Sequence, residues 1–254
     1  MIASALFLSA NTASVTEVFM STMLLSFWSF VSGEVSESKY GLVRWISVGA
    51  VVALLILVVL LAFLNKKQKM FSTANIATAG VCLAASFGLS FLKFTPVTYG
   101  GSVTAASLVP IMLYAYFFGP ASGLAVGMIF GLLQFIQSPY LLTPVSFLLD
   151  YPLAFASIFW MGFAGKWTMI GEWKRLTIGA ALTYATRFIF HLLSGFIYFA
   201  HGAIWADLPQ SNAFVYSFLY QVTYLIPDMA IAVAVLIALS LTKAISSLEK
   251  VIRK

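Results

Sequence analysis

Ionisable side chains lie inside apolar segments long enough to cross a membrane. Asp150 lies within FLLDYPLAFASIFWMGFAG, Arg187 and His191 lie within TRFIFHLLSGFIYFA, and the last apolar segment carries Gln221 and Asp228. A charge at that depth costs roughly 2.5–3.5 kcal/mol on insertion scales, so it usually has a partner and a purpose. We therefore expect polar groups from three helices to converge on one site.

The spacing of these residues indicates which kind of molecule such a site could hold. Residues four positions apart share one face of a helix, and Arg187, His191 and Gly195 form such a stripe. The last segment carries a second stripe: Tyr216, Tyr220 and Tyr224. The first stripe would bring two cationic side chains and a glycine that permits close approach opposite the tyrosine rings of the second stripe. A small aromatic or cationic molecule could be held there by stacking, cation–π contact and a carboxylate.

The composition is that of an integral membrane protein, since 61% of the 254 residues are hydrophobic and 9% are charged, against roughly 25% charged in soluble domains. Runs of about 20 apolar residues cross a bilayer as helices. The sequence predicts eight: 15–33, 46–64, 72–92, 102–118, 121–137, 143–165, 176–200 and 213–241. The connections are too short for a soluble catalytic domain or a nucleic-acid-binding domain.

Basic residues predict the orientation, because Lys and Arg in short loops stay in the cytoplasm. They follow the second, sixth and eighth predicted helices, on one side of the membrane: Lys66, Lys67, Lys69, Lys166, Lys174, Arg175, Lys243, Lys250, Arg253 and Lys254. We expect a multi-pass protein of the cell membrane with both termini in the cytoplasm. The net charge of +6 then reflects topology and does not indicate a nucleic-acid partner.

The predicted fold class is an all-α integral membrane protein in two parts. Residues 1–69 form an N-terminal transmembrane hairpin whose second helix is aliphatic throughout, as in a lipid-facing anchor. Residues 70–254 form a six-helix substrate-binding membrane domain, in which prolines and aromatic residues interrupt the helices.

Structural roles remain open for the same residues. Asp150 could pair with Arg187 or His191 and hold the bundle together, and His191 could be a neutral interhelical hydrogen-bonding residue. The tyrosines could form an interfacial aromatic belt. Asp228 follows Pro227 and could satisfy backbone groups freed by that proline.

Other function classes are also open. An ion-coupled secondary transporter would use Asp150 or Asp228 as an ion site and would usually show inverted repeats, for which we find no convincing pattern. A membrane enzyme would need clustered acid–base or metal-binding residues, and the sequence has isolated ones. We expect no enzymatic activity, no cofactor and no metal.

From FGPASG through LLDYPLAFASIFWMGFAG to RFIFHLLSGFIYF and the Tyr-rich last helix, the chain resembles the ThiT-type thiamine-binding S-components of energy-coupling factor (ECF) transporters. The resemblance covers roughly residues 72–242. It implies an outward-facing pocket that captures thiamine or a close relative. The alternatives within this class are another small heterocycle, such as a vitamin B6 form or a pyrimidine precursor.

The resemblance assigns ligand-binding roles residue by residue. Asp150 matches the acidic residue that meets the thiazolium ring, and Tyr151 follows it as in the family. The other matching positions are Tyr140, His191, Gly195, Phe199, Tyr216 and Gln221. The family typically has glutamate at Asp150 and tryptophan at Phe199, so the smaller side chains here predict a larger pocket. The family typically has asparagine at Gln221, and the longer glutamine could reach further to compensate.

The resemblance also implies partners, namely a membrane coupling subunit and two cytoplasmic ATPases. The chain carries no Gly-x-x-x-x-Gly-Lys-Ser/Thr phosphate loop, so ATP hydrolysis is expected on the partners. The predicted partner-contact face is Gly80, Ala84 and Gly88, which recur every four residues and let another helix approach. Intramolecular packing is the alternative use of this stripe.

Overall fold

The structure is a computed structural model that describes residues 72–96, 101–138, 144–195 and 213–252. The predicted hairpin of residues 1–69 lies outside the described residues, as do Tyr140 and Phe199.

The described chain is mostly helical. It begins with helix α1 (Thr73–Ser90) and a two-stranded antiparallel hairpin of β1 (Lys93–Pro96) and β2 (Ser102–Thr104). Helices α2 (Val109–Phe118) and α3 (Pro120–Gln137) follow. The next span is broken into α4 (Pro144–Leu148), a π-helical segment π1 (Leu149–Leu153), α5 (Ala154–Ala156) and α6 (Phe159–Ala164). The last helices are α7 (Glu172–Ser194), α8 (Ala213–Leu241) and α9 (Ala244–Ile252).

Five of the described helical spans are long and apolar enough to cross a membrane, and α2 is an additional short apolar helix of 10 residues. The chain is therefore a multi-pass membrane protein. The predicted helix 102–118 was wrong at its start. Residues 102–104 form a strand, and the helix predicted from residue 102 begins at Val109. Helix α9 was not predicted.

Local sequence explains where these elements begin. Helix α1 starts after Ser72, whose Oγ accepts a hydrogen bond of 3.3 Å from the backbone N–H of Asn75. Gly119 alone joins α2 to α3, with a φ of 88° that favours glycine, and Pro120 follows as the first residue of α3. The antiparallel register pairs Lys93 with Thr104.

The core forms where α2, α3, α6, α7 and α8 meet. Fully buried side chains from these helices fill it: Ile111, Met112, Phe130, Met161, Leu176 and Leu236. Glycines bring α3 against the broken span, since a Cβ on Gly127 or Gly131 would overlap the backbone carbonyl of Phe155 or Tyr151. Small residues at helix contacts are the usual means of close packing in membranes.

Large apolar side chains cover the outside of this bundle. Val81 on α1 is 69% exposed and Ile136 on α3 is 70% exposed. Helix α1 also turns the stripe of Gly80, Ala84 and Gly88 outward, and a Cβ on either glycine would meet nothing within 4 Å. Among the described residues this stripe is therefore not an intramolecular packing face. The outer surface is suited to lipid or to another membrane helix.

Candidate ligand-binding site

The π1 segment positions Asp150. Pro152 has no N–H to donate to the preceding turn, and the wider π turn accommodates it within an otherwise helical span. Gly131 lets α3 approach this turn closely. Tyr151 is fixed beside Asp150, since its hydroxyl donates a 2.8 Å hydrogen bond to the carbonyl of Ser138 at the end of α3.

The Asp150 carboxylate faces α7. One oxygen, Oδ1, lies 3.0 Å from Nδ1 of His191, and the other, Oδ2, accepts a 2.6 Å hydrogen bond from the Ser194 hydroxyl. The side chain of Asp150 is 20% exposed. A carboxylate has about four acceptor positions in total, so Asp150 can accept further hydrogen bonds or face a cation.

Hydrogen bonds define the form of His191. Nε of Arg187 donates to Nε2 of His191 at 3.3 Å. A ring nitrogen that accepts carries no proton, so the proton is on Nδ1 and is donated to Asp150. His191 is then a neutral bridge between a guanidinium and a carboxylate.

Asp228 binds two other elements, β2 and α7. Its Oδ1 accepts hydrogen bonds from the backbone N–H and the hydroxyl of Thr104 on β2, at 2.9 and 2.8 Å. Its Oδ2 accepts a 2.7 Å bond from the Tyr184 hydroxyl and lies 3.8 Å from Nη1 of Arg187, both on α7. We expected Asp228 to satisfy backbone groups freed by Pro227. In the structure its carboxylate instead binds the hairpin and α7.

The tyrosines of α8 face inward. Tyr216 and Tyr224 are 7% and 5% exposed, so for these two the interfacial-belt interpretation is wrong. The rings of Tyr216 and Tyr220 stack with centroids 6.5 Å apart and an angle of 13°. The hydroxyl of Tyr220 accepts a 3.2 Å hydrogen bond from the backbone N–H of Gly101, which ties the hairpin to α8.

Gln221 and Gly195 bring α7 and α8 together. Nε2 of Gln221 donates to the carbonyl of His191 at 3.2 Å, and its Oε1 accepts from the Tyr224 hydroxyl. A Cβ on Gly195 would overlap the Ser217 hydroxyl, so the glycine permits this close contact.

These groups surround a cavity of about 120 Å³. That is several times the 10–15 Å³ needed for one water molecule. The predicted site residues within the described chain all line it: Asp150, Tyr151, His191, Gly195, Tyr216 and Gln221. Its described walls carry two cations and two carboxylates, Lys93, Arg187, Asp150 and Asp228, whose formal charges cancel.

Several cavity residues were not among the predicted ones. Thr104 and Ser107 were assigned to a helix, and Lys93 and Gln134 lie on elements where no site was expected. Gln134 had a usable signal, since a polar residue in an otherwise apolar span is costly. Its Nε2 is buried without a hydrogen-bond partner among the described residues, and the residue lines the cavity.

The comparison with known families decides the identity of the chain. The profile of the family described as "Thiamine transporter protein (Thia_YuaJ)" matches residues 76–247, which is more than half of the sequence. The chain belongs to this thiamine transporter family.

A curated member of the thiamine transporter family is similar over most of its length. The thiamine transporter ThiT of Bacillus subtilis (strain 168) is 31% identical over 191 residues, which cover 68% of this chain and 91% of the relative. A solved structure of ThiT from Listeria monocytogenes matches with a TM-score of 0.57 and 18% identity, and covers 67% of this chain and 95% of that one. This structural likeness shows a shared fold.

The family match confirms the resemblance seen in the sequence, and the range of residues that it covers bears on the domain boundary. The thiamine transporter profile begins at residue 76, inside α1, so residues 1–69 lie outside it. The domain boundary at residue 70 stays a prediction. The ligand-binding roles of the cavity residues also stay predictions, and Tyr140 and Phe199 lie outside the described residues.

Proposed function

We propose that this chain is the substrate-binding subunit, or S-component, of an ECF-type vitamin importer, and that it captures thiamine in the cavity beside Asp150. The proposal places the cavity on the outer side of the membrane. Thiamine joins a neutral pyrimidine ring to a positively charged thiazolium ring. It therefore offers a positive charge for the carboxylate of Asp150 and flat rings for the tyrosines in the cavity wall.

The observation that carries the proposal is the environment of Asp150. Its carboxylate is partly buried in the wall of the cavity, and its nearest nitrogen partner is the neutral imidazole of His191. Neither that imidazole nor the Ser194 hydroxyl cancels the negative charge. A cationic ring replaces the electrostatic stabilisation that burial took from the carboxylate, whereas a neutral ring does not.

Aromatic and amide groups suit the rest of such a ligand. The stacked rings of Tyr216 and Tyr220 offer π faces for a heteroaromatic ring. The buried Nε2 of Gln134 offers a donor for a ring nitrogen or a hydroxyl. Together these groups favour a flat, partly polar cation of vitamin size.

A calorimetric titration of the purified protein tests the ligand. We expect thiamine to bind in preference to pyridoxine, riboflavin and hydroxymethylpyrimidine, since only thiamine of these four carries a permanent cationic ring. Binding of one of the other three more tightly than thiamine would contradict the proposed ligand while leaving the transporter class in place.

The variant Asp150→Asn tests the electrostatic role. Asparagine keeps the shape and an oxygen acceptor for His191 but removes the charge. We expect thiamine binding to weaken by roughly 1.5–3 kcal/mol, which is about 10- to 150-fold in Kd. Asp150→Glu keeps the charge and is the matched control, with a smaller loss. If Asp150→Asn folds and binds thiamine as the wild type does, the role assigned to Asp150 is wrong.

Under this proposal, the energy for transport comes from other subunits. A membrane coupling subunit would contact α1 along Gly80, Ala84 and Gly88, and two cytoplasmic ATPases would drive release of the vitamin. The open surface over both glycines supports this choice of face. Vesicles that contain this chain alone should not accumulate thiamine in response to a proton gradient. Accumulation under those conditions would favour an ion-coupled carrier.

A further inference from the structure

Arg187 is a cation in the wall of a site that, under the proposed function, receives a cation. Its side chain is 12% exposed and lines the cavity. It lies one helical turn from His191, which bonds to Asp150. An uncompensated guanidinium at this place would repel an incoming thiazolium ring and would compete with it for the Asp150 carboxylate.

Asp228 provides the compensating charge. Its Oδ2 lies 3.8 Å from Nη1 of Arg187, and the residue is 3% exposed. Three hydrogen bonds hold the carboxylate in place, two from Thr104 and one from the Tyr184 hydroxyl. Every one of these donors requires an acceptor oxygen, which suits the ionised form.

The guanidinium has two further contacts besides Asp228. Its central carbon lies 4.3 Å from the centroid of the Phe155 ring, in cation–π contact. Its Nε is bonded to His191, so the imidazole separates it from Asp150. The positive charge of Arg187 is therefore offset by Asp228, and the carboxylate of Asp150, which lines the cavity, keeps its own negative charge.

We propose that Asp228 determines the charge specificity of the site: by neutralising Arg187, it keeps Asp150 available for a cationic ligand. Asp228 acts through Arg187 and is a positioning residue that need not touch the ligand. The inference rests on the proposed capture of thiamine. It predicts that loss of the Asp228 charge weakens cation binding and that loss of the Arg187 charge strengthens it, because a negative charge near the site attracts a cation and a positive charge repels it.

Four proteins test this inference: the wild type, Asp228→Asn, Arg187→Gln and the double variant. Each is titrated with thiamine and with an isosteric analogue whose thiazolium is replaced by a neutral ring. Asp228→Asn leaves the described cavity walls with a net positive charge. We expect its Kd for thiamine to rise roughly 10- to 100-fold at an effective dielectric constant near 20. The Kd for the neutral analogue should change by less than about threefold.

Arg187→Gln should shift cation binding in the other direction. Glutamine keeps a donor for His191 and removes the positive charge, so the Kd for thiamine should fall below that of the wild type, while the Kd for the neutral analogue should change by less than about threefold. The double variant removes both charges and should recover most of the thiamine affinity that Asp228→Asn loses, which is the coupling that a double-mutant cycle measures.

A purely structural role gives a different result. Thr104→Val removes one hydrogen bond to Asp228 without changing any charge, so it is the control for displacement of the hairpin. It should affect both ligands equally. If Asp228→Asn also weakens both ligands equally, or if Arg187→Gln weakens thiamine as much as Asp228→Asn does, the inference is overturned.

The design separates this inference from the proposed function. Failure of the wild type to bind thiamine would overturn the proposed function, whereas an unchanged ratio between the two ligands in the variants would overturn only the role of Asp228. Should Asp228→Asn alone fail to fold, Arg187→Gln and the double variant carry the comparison. The inference then requires Arg187→Gln to favour thiamine over the neutral analogue more strongly than the wild type does.

Discussion

Both ends of the Gln221 amide are bonded to protein groups. The nitrogen donates to the backbone carbonyl of His191 on α7, and the oxygen accepts from the Tyr224 hydroxyl one turn along α8. The residue is 4% exposed and lines the cavity. Its contact with a ligand stays a prediction, and the geometry adds a second role as a cross-link between the two helices.

Gln221→Leu is expected to destabilise the protein. Leucine would leave the His191 carbonyl and the Tyr224 hydroxyl without these partners in a buried place, at a cost of about 1–3 kcal/mol. Thermal unfolding in detergent measures the loss. The control is Thr223→Val on the same helix, since Thr223 is exposed and its hydroxyl donates to the carbonyl of Tyr220, three residues before it. Equal shifts in melting temperature for both variants would contradict the cross-link.

At the level of single residues, the sequence predicted the members of the cavity better than their partners. Asp150, His191 and Asp228 were expected in one region because ionisable residues are costly in lipid and therefore face the interior of the helix bundle. The pairing was not predictable. Whether Arg187 meets Asp150 or Asp228 depends on the rotation of three helices, and the contribution of Thr104 depends on a strand where a helix was expected.

The contact between α3 and π1 determines where the acidic side chain points. Gly127 and Gly131 lie one turn apart on α3 and face the carbonyls of Phe155 and Tyr151. The broken span can therefore lie directly on the backbone of α3. Phe130, 1% exposed, fills the core between them and packs edge to face on Phe155 with centroids 5.2 Å apart.

Gly131→Ala should disturb both stability and binding. The new methyl group would overlap the Tyr151 carbonyl, and inserting a group into a packed contact typically costs 1–3 kcal/mol. Because Asp150 is the adjacent residue, thiamine affinity should fall as well. The control is Gly80→Ala on α1, where a Cβ meets nothing within 4 Å. Gly80→Ala should be neutral or stabilise by up to about 1 kcal/mol.

Unfolding and calorimetric titration of these two variants separate the alternatives. A Gly131→Ala protein that melts and binds thiamine like Gly80→Ala would show that the α3 contact does not position Asp150.

The long helices were predictable because hydrophobic length alone specifies them, and α3 and α8 match the predicted ranges to within one residue. The hairpin was not predictable in this way. Its strands have only 4 and 3 residues. Strand β1 lies in the predicted connection between two helices, and β2 was assigned to the start of the next predicted helix. Helix α9 is amphipathic, with Ile245 buried and Leu248 44% exposed, and is too short to cross a membrane.

The described part of the molecule has two kinds of outer surface. Large apolar side chains are exposed on several of its helices, as on a lipid-facing surface. The face of α1 that carries Gly80, Ala84 and Gly88 is instead flat and open. A neighbouring helix can approach a flat face of small residues more closely than it can approach a bulky one.

Ala84→Leu should separate transport from binding. The leucine would obstruct approach of a coupling subunit, so thiamine uptake by cells that contain the full transporter should fall at least about tenfold if the loss of helix contact exceeds roughly 1.4 kcal/mol. The Kd of the purified chain for thiamine should not change, because Ala84 lies outside the cavity lining.

Ala85→Leu is the matched control for this face. Ala85 is the next residue and is also exposed, but it lies about 100° further around the helix. It should leave uptake close to the wild-type rate. Equal loss of uptake in both variants would show that the small-residue face has no special role.

The five-residue π1 segment, Leu149–Leu153, contains one more residue than an α-helical turn would. Removing a single amino acid from this stretch would take away the wide turn that accommodates Pro152. The residues before the deletion would then have to shift relative to those after it. Phe147, whose ring packs on Phe135 with centroids 4.7 Å apart, would lose that contact, and the acid would no longer face α7. This short stretch should accordingly accept exchanges of amino acid type far more readily than any change in its length.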